Sequence, residues 1–310
     1  MRVLVTGGAG FIGSNLCERL LNEGHEVLCL DNFYTGSKAN IVEFIPDPNF
    51  EFIRKDIIEP LNIEADFIVN LACPASVLYY QKNPLKTMKD NVYGIFNLME
   101  LARRLNVPVL HTSTSEVYGS PLVHPQSESY NGNVNPVSIR SCYDEGKRVA
   151  ETIMFDYHRV YGLDIRIARV FNTYGPKMLE NDGRVVSNFI VQALKGKNLT
   201  VYGDGTQSRS FCYISDLVDG LMLFMNSKGF TGPVNLGNTY EFNMIDFANI
   251  IISFTSSKSK ITFDPLPKDD PVKRKPDLTL AKEKLGYVPK INIEDGLKAT
   301  IAYFRKKLGT

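Results

Sequence analysis

Several things are scarce in this chain of 310 residues, and each scarcity removes a class of function. There is no excess of either charge: 35 Lys and Arg face 34 Asp and Glu, a formal net charge of +1. A nucleic-acid or membrane-surface protein normally carries a strongly basic face or tail, and nothing here suggests one. Cysteine is sparse and scattered. Cys17, Cys29, Cys73, Cys142 and Cys212 are odd in number and form no C-x-x-C pair, which argues against a disulfide framework and for reduced, packed thiols in a cytoplasmic protein. Cys142 has no histidine near it in sequence, so a packed thiol is expected there rather than a nucleophile. The four histidines are isolated and offer no metal-ligand spacing. No apolar run approaches the roughly 18 residues of a membrane span. With the first apolar strand starting at residue 2, a cytoplasmic enzyme without a signal peptide is the expectation. Internal repeats and low-complexity stretches are absent as well.

What is present is a β-α alternation. Arg2 to Thr6 reads as a short buried strand, Gly7-Gly8-Ala9-Gly10-Phe11-Ile12-Gly13 follows at once, and an apolar-periodic helix runs from Phe11 to Leu21. Gly8, Gly10 and Gly13 satisfy G-x-G-x-x-G, and Gly7, Gly10 and Gly13 a looser spacing; either lets backbone amides approach a pyrophosphate at a helix N-terminus. A second strand, Glu26 to Leu30, ends at Asp31, close to the ~20-residue offset of an acid that binds an adenosine ribose. A carboxylate there repels a 2′-phosphate, so the cofactor read is NAD rather than NADP. Further strands are expected near 51–54, 66–70, 107–112 and 164–170, with helices near 84–104 and 141–161. That is the pattern of an α/β fold, a Rossmann-type doubly wound parallel sheet. After Pro176 the rhythm breaks into loops and short elements. Residues 1–175 are therefore read as the NAD-binding domain and 176–310 as a smaller substrate-binding lobe, with segments near 211–238 rejoining the first domain.

The chemistry is expected around Tyr143 and Lys147. On a helix, an i, i+4 spacing puts phenol and ammonium on one face, where the cation can favour the phenolate. A phenol with a pKa near ~10 becomes a useful base only if positive charge lowers it, and Lys147 with an oxidised nicotinamide would provide that charge. About thirty residues upstream lies a hydroxyl-rich run, Thr112-Ser113-Thr114-Ser115-Glu116.

These motifs, with Asp31-Asn32, Asp56-Ile57, Asn70-Leu71-Ala72, Asn91 and Arg169 to Pro176, resemble the extended short-chain dehydrogenases/reductases that act on nucleotide sugars. Longer strings narrow the resemblance to the UDP-glucuronate decarboxylases within them: HPQSESYNGNVNP, CYDEGKRVAET, NDGRVVSNFI, VYGDGTQSRSFCYISDL, PVNLGN and DDPVKRKPD. Two segments depart from the family pattern, Val77-Leu78, where a proline pair is expected, and Val137-Ser138-Ile139.

The resemblance implies a catalytic set of Thr114, Ser115, Glu116, Tyr143, Lys147 and Arg274. It implies a cofactor set of Gly7, Gly10, Phe11, Ile12, Gly13, Asp31, Asn32, Asp56, Ile57, Leu71, Ala72 and Asn91 beside Tyr143 and Lys147. Asn172, Arg184, Tyr202, Arg209 and Arg274 would hold a UDP-sugar. It also implies a homodimer, with Ile95, Leu98 and Met99 on one helix and Val149, Ile153 and Met154 on the next as the candidate seam. The alternatives within the superfamily are a 4,6-dehydratase and a 4-epimerase. A dehydratase needs an acid where this chain has Ser115, and an epimerase usually has no glutamate at the place of Glu116. An inactive NAD-binding regulatory protein is the alternative from another class, and intact Thr114, Tyr143 and Lys147 argue against it.

Overall fold

A computed structural model describes residues 1–266 and 273–310. The first four residues of the string DDPVKRKPD lie outside the described residues. A parallel sheet of seven strands organises the chain. It contains β1 (Arg2–Thr6), β2 (Glu26–Asp31), β3 (Phe50–Arg54), β4 (Phe67–Asn70), β5 (Val109–Thr114) and β6 (Ile165–Val170), and the strand Val234–Leu236 adds to the β6 edge. From that edge the order is Val234–Leu236, β6, β5, β4, β1, β2, β3. The chain reverses its direction of travel across the sheet between β1 and β4. In a doubly wound sheet the crevice at the carboxyl ends of two such strands is where ligands sit.

The strands read as near-continuous apolar runs because both faces are covered. β1, β2 and β4 are buried almost throughout. On one face pack α1 (Phe11–Asn22) and later helices, including Ile214–Asn226; on the other pack α3 (Pro84–Leu105) and α4 (Ser141–Tyr161). Between β4 and α3 lies a short helix, α2 (Val77–Lys82), which the sequence pattern did not announce.

Strand β5 begins two residues later than its apolar pattern predicts. Asn106 caps α3 in the left-handed conformation (φ 55°), and Pro108 has no amide to donate, so ladder pairing starts at Val109. The displacement carries the strand's end to Thr114 and so presents the hydroxyl run at the carboxyl edge of the sheet.

Five of the six residues expected at a dimer seam face the wrong way. Ile95, Leu98, Met99, Ile153 and Met154 are buried in the core between α3, α4 and the sheet; only Val149 is exposed. The outward surface of the helix pair carries Tyr93, Phe96 and Val149, with Val160 and Tyr161 near the end of α4. Helical periodicity identifies the apolar stripe but does not say which partner it meets.

Beyond Pro176, Ser208–Ser210 is flanked by Glu241–Asn243, antiparallel, and by Lys273–Arg274, parallel. Arg274 pairs in register with Arg209, so two guanidinium-bearing residues 65 positions apart lie side by side. Leu199–Tyr202 and Ile261–Asp264 form a separate parallel pair.

Candidate active site

One cleft of about 570 Å³ runs along the carboxyl edge of the sheet. At one end the glycine turn leads into α1. Gly7 has φ +70°, and a Cβ there would lie 2.8 Å from the Leu71 carbonyl; a Cβ on Gly13 would come within 2.2 Å of the Gly7 carbonyl oxygen. Gly8 is packed too closely against Cys29 for a side chain and does not line the cleft, so the looser spacing Gly7, Gly10, Gly13 describes the turn. Gly10 caps α1 without any side-chain acceptor, which leaves the first helical amides, at Phe11, Ile12 and Gly13, directed at the cleft. Such amides at a helix N-terminus suit a pyrophosphate.

Asp31 ends β2 and closes this part of the cleft. Its Oδ2 accepts from the Ala9 amide at 3.1 Å and its Oδ1 from the Phe33 amide at 2.7 Å, which leaves the remaining lone pairs for a ribose. Burial pushes its carboxyl up, and the amides of Phe33, Ala9 and Asn32 oppose that shift. Asn32 donates to Asp56 Oδ2 at 2.8 Å, and Lys86 Nζ lies 2.7 Å from the same oxygen and 2.8 Å from Asp90. Ile57, Leu71 and Ala72 line the same wall. Asn91 does not reach the cleft. It is buried beneath it, donates to Thr87 O at 3.0 Å and to Cys73 Sγ at 3.2 Å, and packs against Gly146, between Tyr143 and Lys147.

Tyr143 and Lys147 project from the first turns of α4 and are both nearly inaccessible. Thr114, the last residue of β5, hydrogen-bonds the phenol, while Tyr80 on α2 stacks flat against its ring, with centroids 5.1 Å apart and planes 6° from parallel. Lys147 Nζ donates to the Thr112 carbonyl at 2.8 Å. Burial pushes the phenol well up, the neighbouring Cys73, Glu116 and Asp144 push it further, and the Thr114 bond lowers it only partly. Burial also lowers the Lys147 ammonium. In the protein alone the phenol therefore stays high, and the activation expected of Lys147 needs the charge of an oxidised nicotinamide beside it.

Glu116 follows on the turn after β5. Arg274 grips it with two bonds, Nη1 to Oε1 at 2.5 Å and Nη2 to Oε2 at 2.6 Å, and Arg140 adds Nη2 to Oε2 at 2.9 Å. Burial alone would raise this carboxyl, but the charges of Arg274 and Arg140 overcome it and hold it at about 2. Arg140, which forms the N-cap of α4, was not singled out from the sequence; a lone arginine three residues before the tyrosine carries no signal until the helix start is placed. Tyr80 was missed for the same reason. Ser115 is buried beside Glu116 and lines the cleft.

Asn172, Arg184, Tyr202, Arg209 and Arg274 also line the cleft. Arg184 pairs with Asp182 and lies 5.7 Å over the Phe11 ring, and Arg209 Nη1 donates to the Ser208 carbonyl at 2.8 Å. Val77, Leu78 and Ile139 also line the cleft, so both departures from the family pattern sit on its wall. Cys142 is packed, with its thiol directed at the Tyr80 carbonyl and pushed up by burial. Among the described residues no group of His, Cys, Asp and Glu is arranged to hold a metal ion, and no helix is long and apolar enough to cross a membrane.

The profile of the family described as GDP-mannose 4,6 dehydratase matches residues 4–300. The chain is 56% identical to UDP-glucuronic acid decarboxylase 5 of Arabidopsis thaliana, over 100% of its own length and 91% of that protein's. Among solved structures it is similar to a UDP-glucose 4-epimerase from Thermotoga maritima with UDP-glucose, at 30% identity and a TM-score of 0.92, covering 99% of this chain and 100% of the other. It is also similar to a UDP-glucuronic acid 4-epimerase from Bacillus cereus in complex with UDP-glucuronic acid and NAD, at 28% identity and a TM-score of 0.88, again over 99% and 100%.

Proposed function

This chain belongs to the family described as GDP-mannose 4,6 dehydratase, and on that footing we propose that it is an NAD-dependent carboxy-lyase converting UDP-glucuronate to UDP-xylose. The observation that carries this reading is the pair of buried guanidiniums on Glu116. Two cations stand against Glu116 and an Asp144 whose carboxyl burial pushes up toward its neutral form, so net positive charge lies beside Thr114 and Tyr143, which suits a substrate carboxylate. A dehydratase lacks a use for that charge and lacks its acid at Ser115. The Arabidopsis relative acts in the same sense.

A glucuronate carboxylate cannot leave directly, because the carbanion at carbon 5 would be unstabilised. Oxidation of carbon 4 removes the difficulty. Tyr143 takes the 4-hydroxyl proton, and Thr114 holds the same oxygen. When bound, NAD would supply an acceptor for the carbon 4 hydride, a ring charge that lowers the Tyr143 phenol, and the same hydride back at the end. The helix amides at Phe11 to Gly13, Asp31 and the ammonium of Lys147 are the groups that fit it, and Asp31 favours NAD over NADP. With carbon 4 a ketone, loss of carbon dioxide leaves an enolate whose oxygen stays between Tyr143 and Thr114. Carbon 5 then takes a proton, with Glu116 and Arg274 positioning the ring, and reduction restores the hydroxyl. Asn172, Arg184, Tyr202 and Arg209 would hold the nucleotide diphosphate, most of them from the lobe after residue 175. Asn91 acts as a positioning residue behind Cys73 and Gly146.

We further read the protein as a cytoplasmic homodimer, the outward face of α3 and α4 with Tyr93, Phe96 and Val149 replacing the seam read from periodicity. Incubation with UDP-glucuronate, followed by NMR of the product and measurement of carbon dioxide, tests the activity. Dehydration of a neutral hexose nucleotide, with UDP-glucuronate untouched, would overturn it.

A further inference from the structure

Decarboxylation requires one proton from solvent in every turnover. The carboxylate departs as neutral carbon dioxide, so the electron pair of the broken bond stays on the sugar as an enolate. One proton must then enter from solvent and bond to carbon 5. A nucleotide sugar and a dinucleotide would together occupy much of a cleft of about 570 Å³, which favours a separate route for that proton.

A second cavity, of about 250 Å³, lies behind Glu116. Its wall includes Glu116, which also lines the main cleft, and Asp144, one residue beyond Tyr143 on α4. Its rim includes Ser120, Asn133 and Asn135, all exposed, so the cavity reaches the surface. Asp144 is buried, and its Oδ1 has no hydrogen-bond partner; its Oδ2 lies 3.9 Å from Arg140 Nε, beyond hydrogen-bond length. A buried carboxyl left so poorly satisfied, with the Glu116 carboxylate near it, favours the protonated form against the pull of the two arginines.

We propose that Asp144 is the proton-supplying group of this reaction, taking protons from water in the second cavity and passing them along the Glu116 side to carbon 5. The inference rests on the decarboxylase reading above. Each turnover moves one proton from cavity water to Asp144 and one from Asp144, through water held by Glu116 and Arg274, to the enolate carbon. Asp144 ends as it began. The charged groups that face it are Glu116, Arg140, Arg274 and Glu145; burial and Glu116 push its carboxyl up to about 7, against the two arginines, so it can both hold and release a proton at neutral pH.

The test follows turnover of UDP-glucuronate by the native holoenzyme and by Asp144→Asn, across pH 5.5 to 9 and in deuterated solvent. Native kcat should fall as pH rises through about 7, where Asp144 loses its proton. Asp144→Asn should lower kcat by about 10- to 100-fold, leave KM within about twofold, lose that pH limb, and release 4-keto pentose, while Asp144→Glu should restore rate and limb. Ser120→Trp, at the exposed rim, should slow carbon 5 deuteration with Asp144 intact, and it keeps the proposal testable if Asp144→Asn does not fold. An unchanged pH limb in Asp144→Asn, or normal deuteration in Ser120→Trp, overturns the relay. If the native protein releases no carbon dioxide from UDP-glucuronate, the decarboxylase reading fails instead.

Discussion

Arg274 and Glu116 meet in a two-pronged ion pair across 158 residues of sequence, with both bonds at 2.6 Å or less. Glu116 stands on the turn after β5, at the carboxyl edge of the parallel sheet. Arg274 stands on a two-residue strand that pairs with the strand carrying Arg209, and both arginines line the cleft. The contact thus ties the two elements together at the point where chemistry is expected.

Arg274→Ala should therefore have two effects. Glu116 keeps only Arg140, and a buried carboxylate stripped of one partner costs about 3 kcal/mol, which a thermal melt would register as a lower Tm. Cofactor retention should persist, and the sugar should still be oxidised, but 4-keto product should be released or the reaction should stall. Mass spectrometry of the products distinguishes these outcomes from simple loss of binding. Full conversion to UDP-xylose at the native rate would contradict the assignment.

The same pair predicts a direction for acid sensitivity. The folded state holds Glu116 at about 2, below its ordinary 4.5, so its contribution to stability is complete above about pH 4.5 and is lost as pH falls through about 2. Glu116→Gln removes this titration. Its stability should change less than the native protein's between those limits, as followed by circular dichroism, and decarboxylation should suffer more than nucleotide binding.

At the other end of the cleft, Asp31→Ala should weaken NAD binding by about 10- to 100-fold, since hydrogen bonds to a charged group contribute about 1.5–3 kcal/mol. Part of the loss is indirect, because the Ala9 and Phe33 amides lose their acceptor. Preference for NAD over NADP should shrink in the same variant, as titration calorimetry with each nucleotide would reveal. A native protein that prefers NADP is incompatible with the reading of Asp31.

Gly13 and Gly10 should respond differently to alanine. A Cβ at Gly13 meets Gly7 O at 2.2 Å and Gly8 Cα at 2.7 Å, both backbone, so the turn must move; a Cβ at Gly10 meets only Gly7 O, at 3.1 Å. Gly13→Ala is expected to destabilise by about 1–3 kcal/mol and to abolish NAD retention, and Gly10→Ala to do much less of the former. Equal denaturant midpoints for the two variants would show that the turn is not the constraint described.

These contrasts also explain what could be read without coordinates. The first βαβ unit was legible because its glycines, its apolar run and Asp31 are separated by fixed short distances, and a local rule suffices. Tyr143 and Lys147 were legible because both sit on one helix. Arg140 was not, since its role depends on a contact with Glu116 from another element, and neither was the second cavity beside Asp144. The seam was misassigned because Ile95, Leu98 and Met99 have the same periodicity whether they meet the sheet or a second copy. Helix α2 was hidden by its six-residue length, too short for a periodic signal.

Tyr143→Phe isolates the first chemical step. The substitution keeps the ring stacked on Tyr80 and removes only the hydroxyl that Thr114 bonds, so folding and nucleotide binding should survive. No oxidised sugar should accumulate and no carbon dioxide should be released, with kcat reduced at least ~10²- to 10⁴-fold, because every later step needs the ketone. The native profile should complement this result. In the loaded enzyme, where the charge of the oxidised nicotinamide opposes the burial that raises the phenol, turnover should rise with pH until the base is ionised, while Tyr143→Phe shows no such limb. Once the base ionises below the value of about 7 to which Asp144 is pushed, the native curve should be bell-shaped, with Tyr143→Phe deleting the rising side and Asp144→Asn the falling one. A Tyr143→Phe enzyme that still forms UDP-xylose at a tenth of the native rate would move the base elsewhere in the cleft.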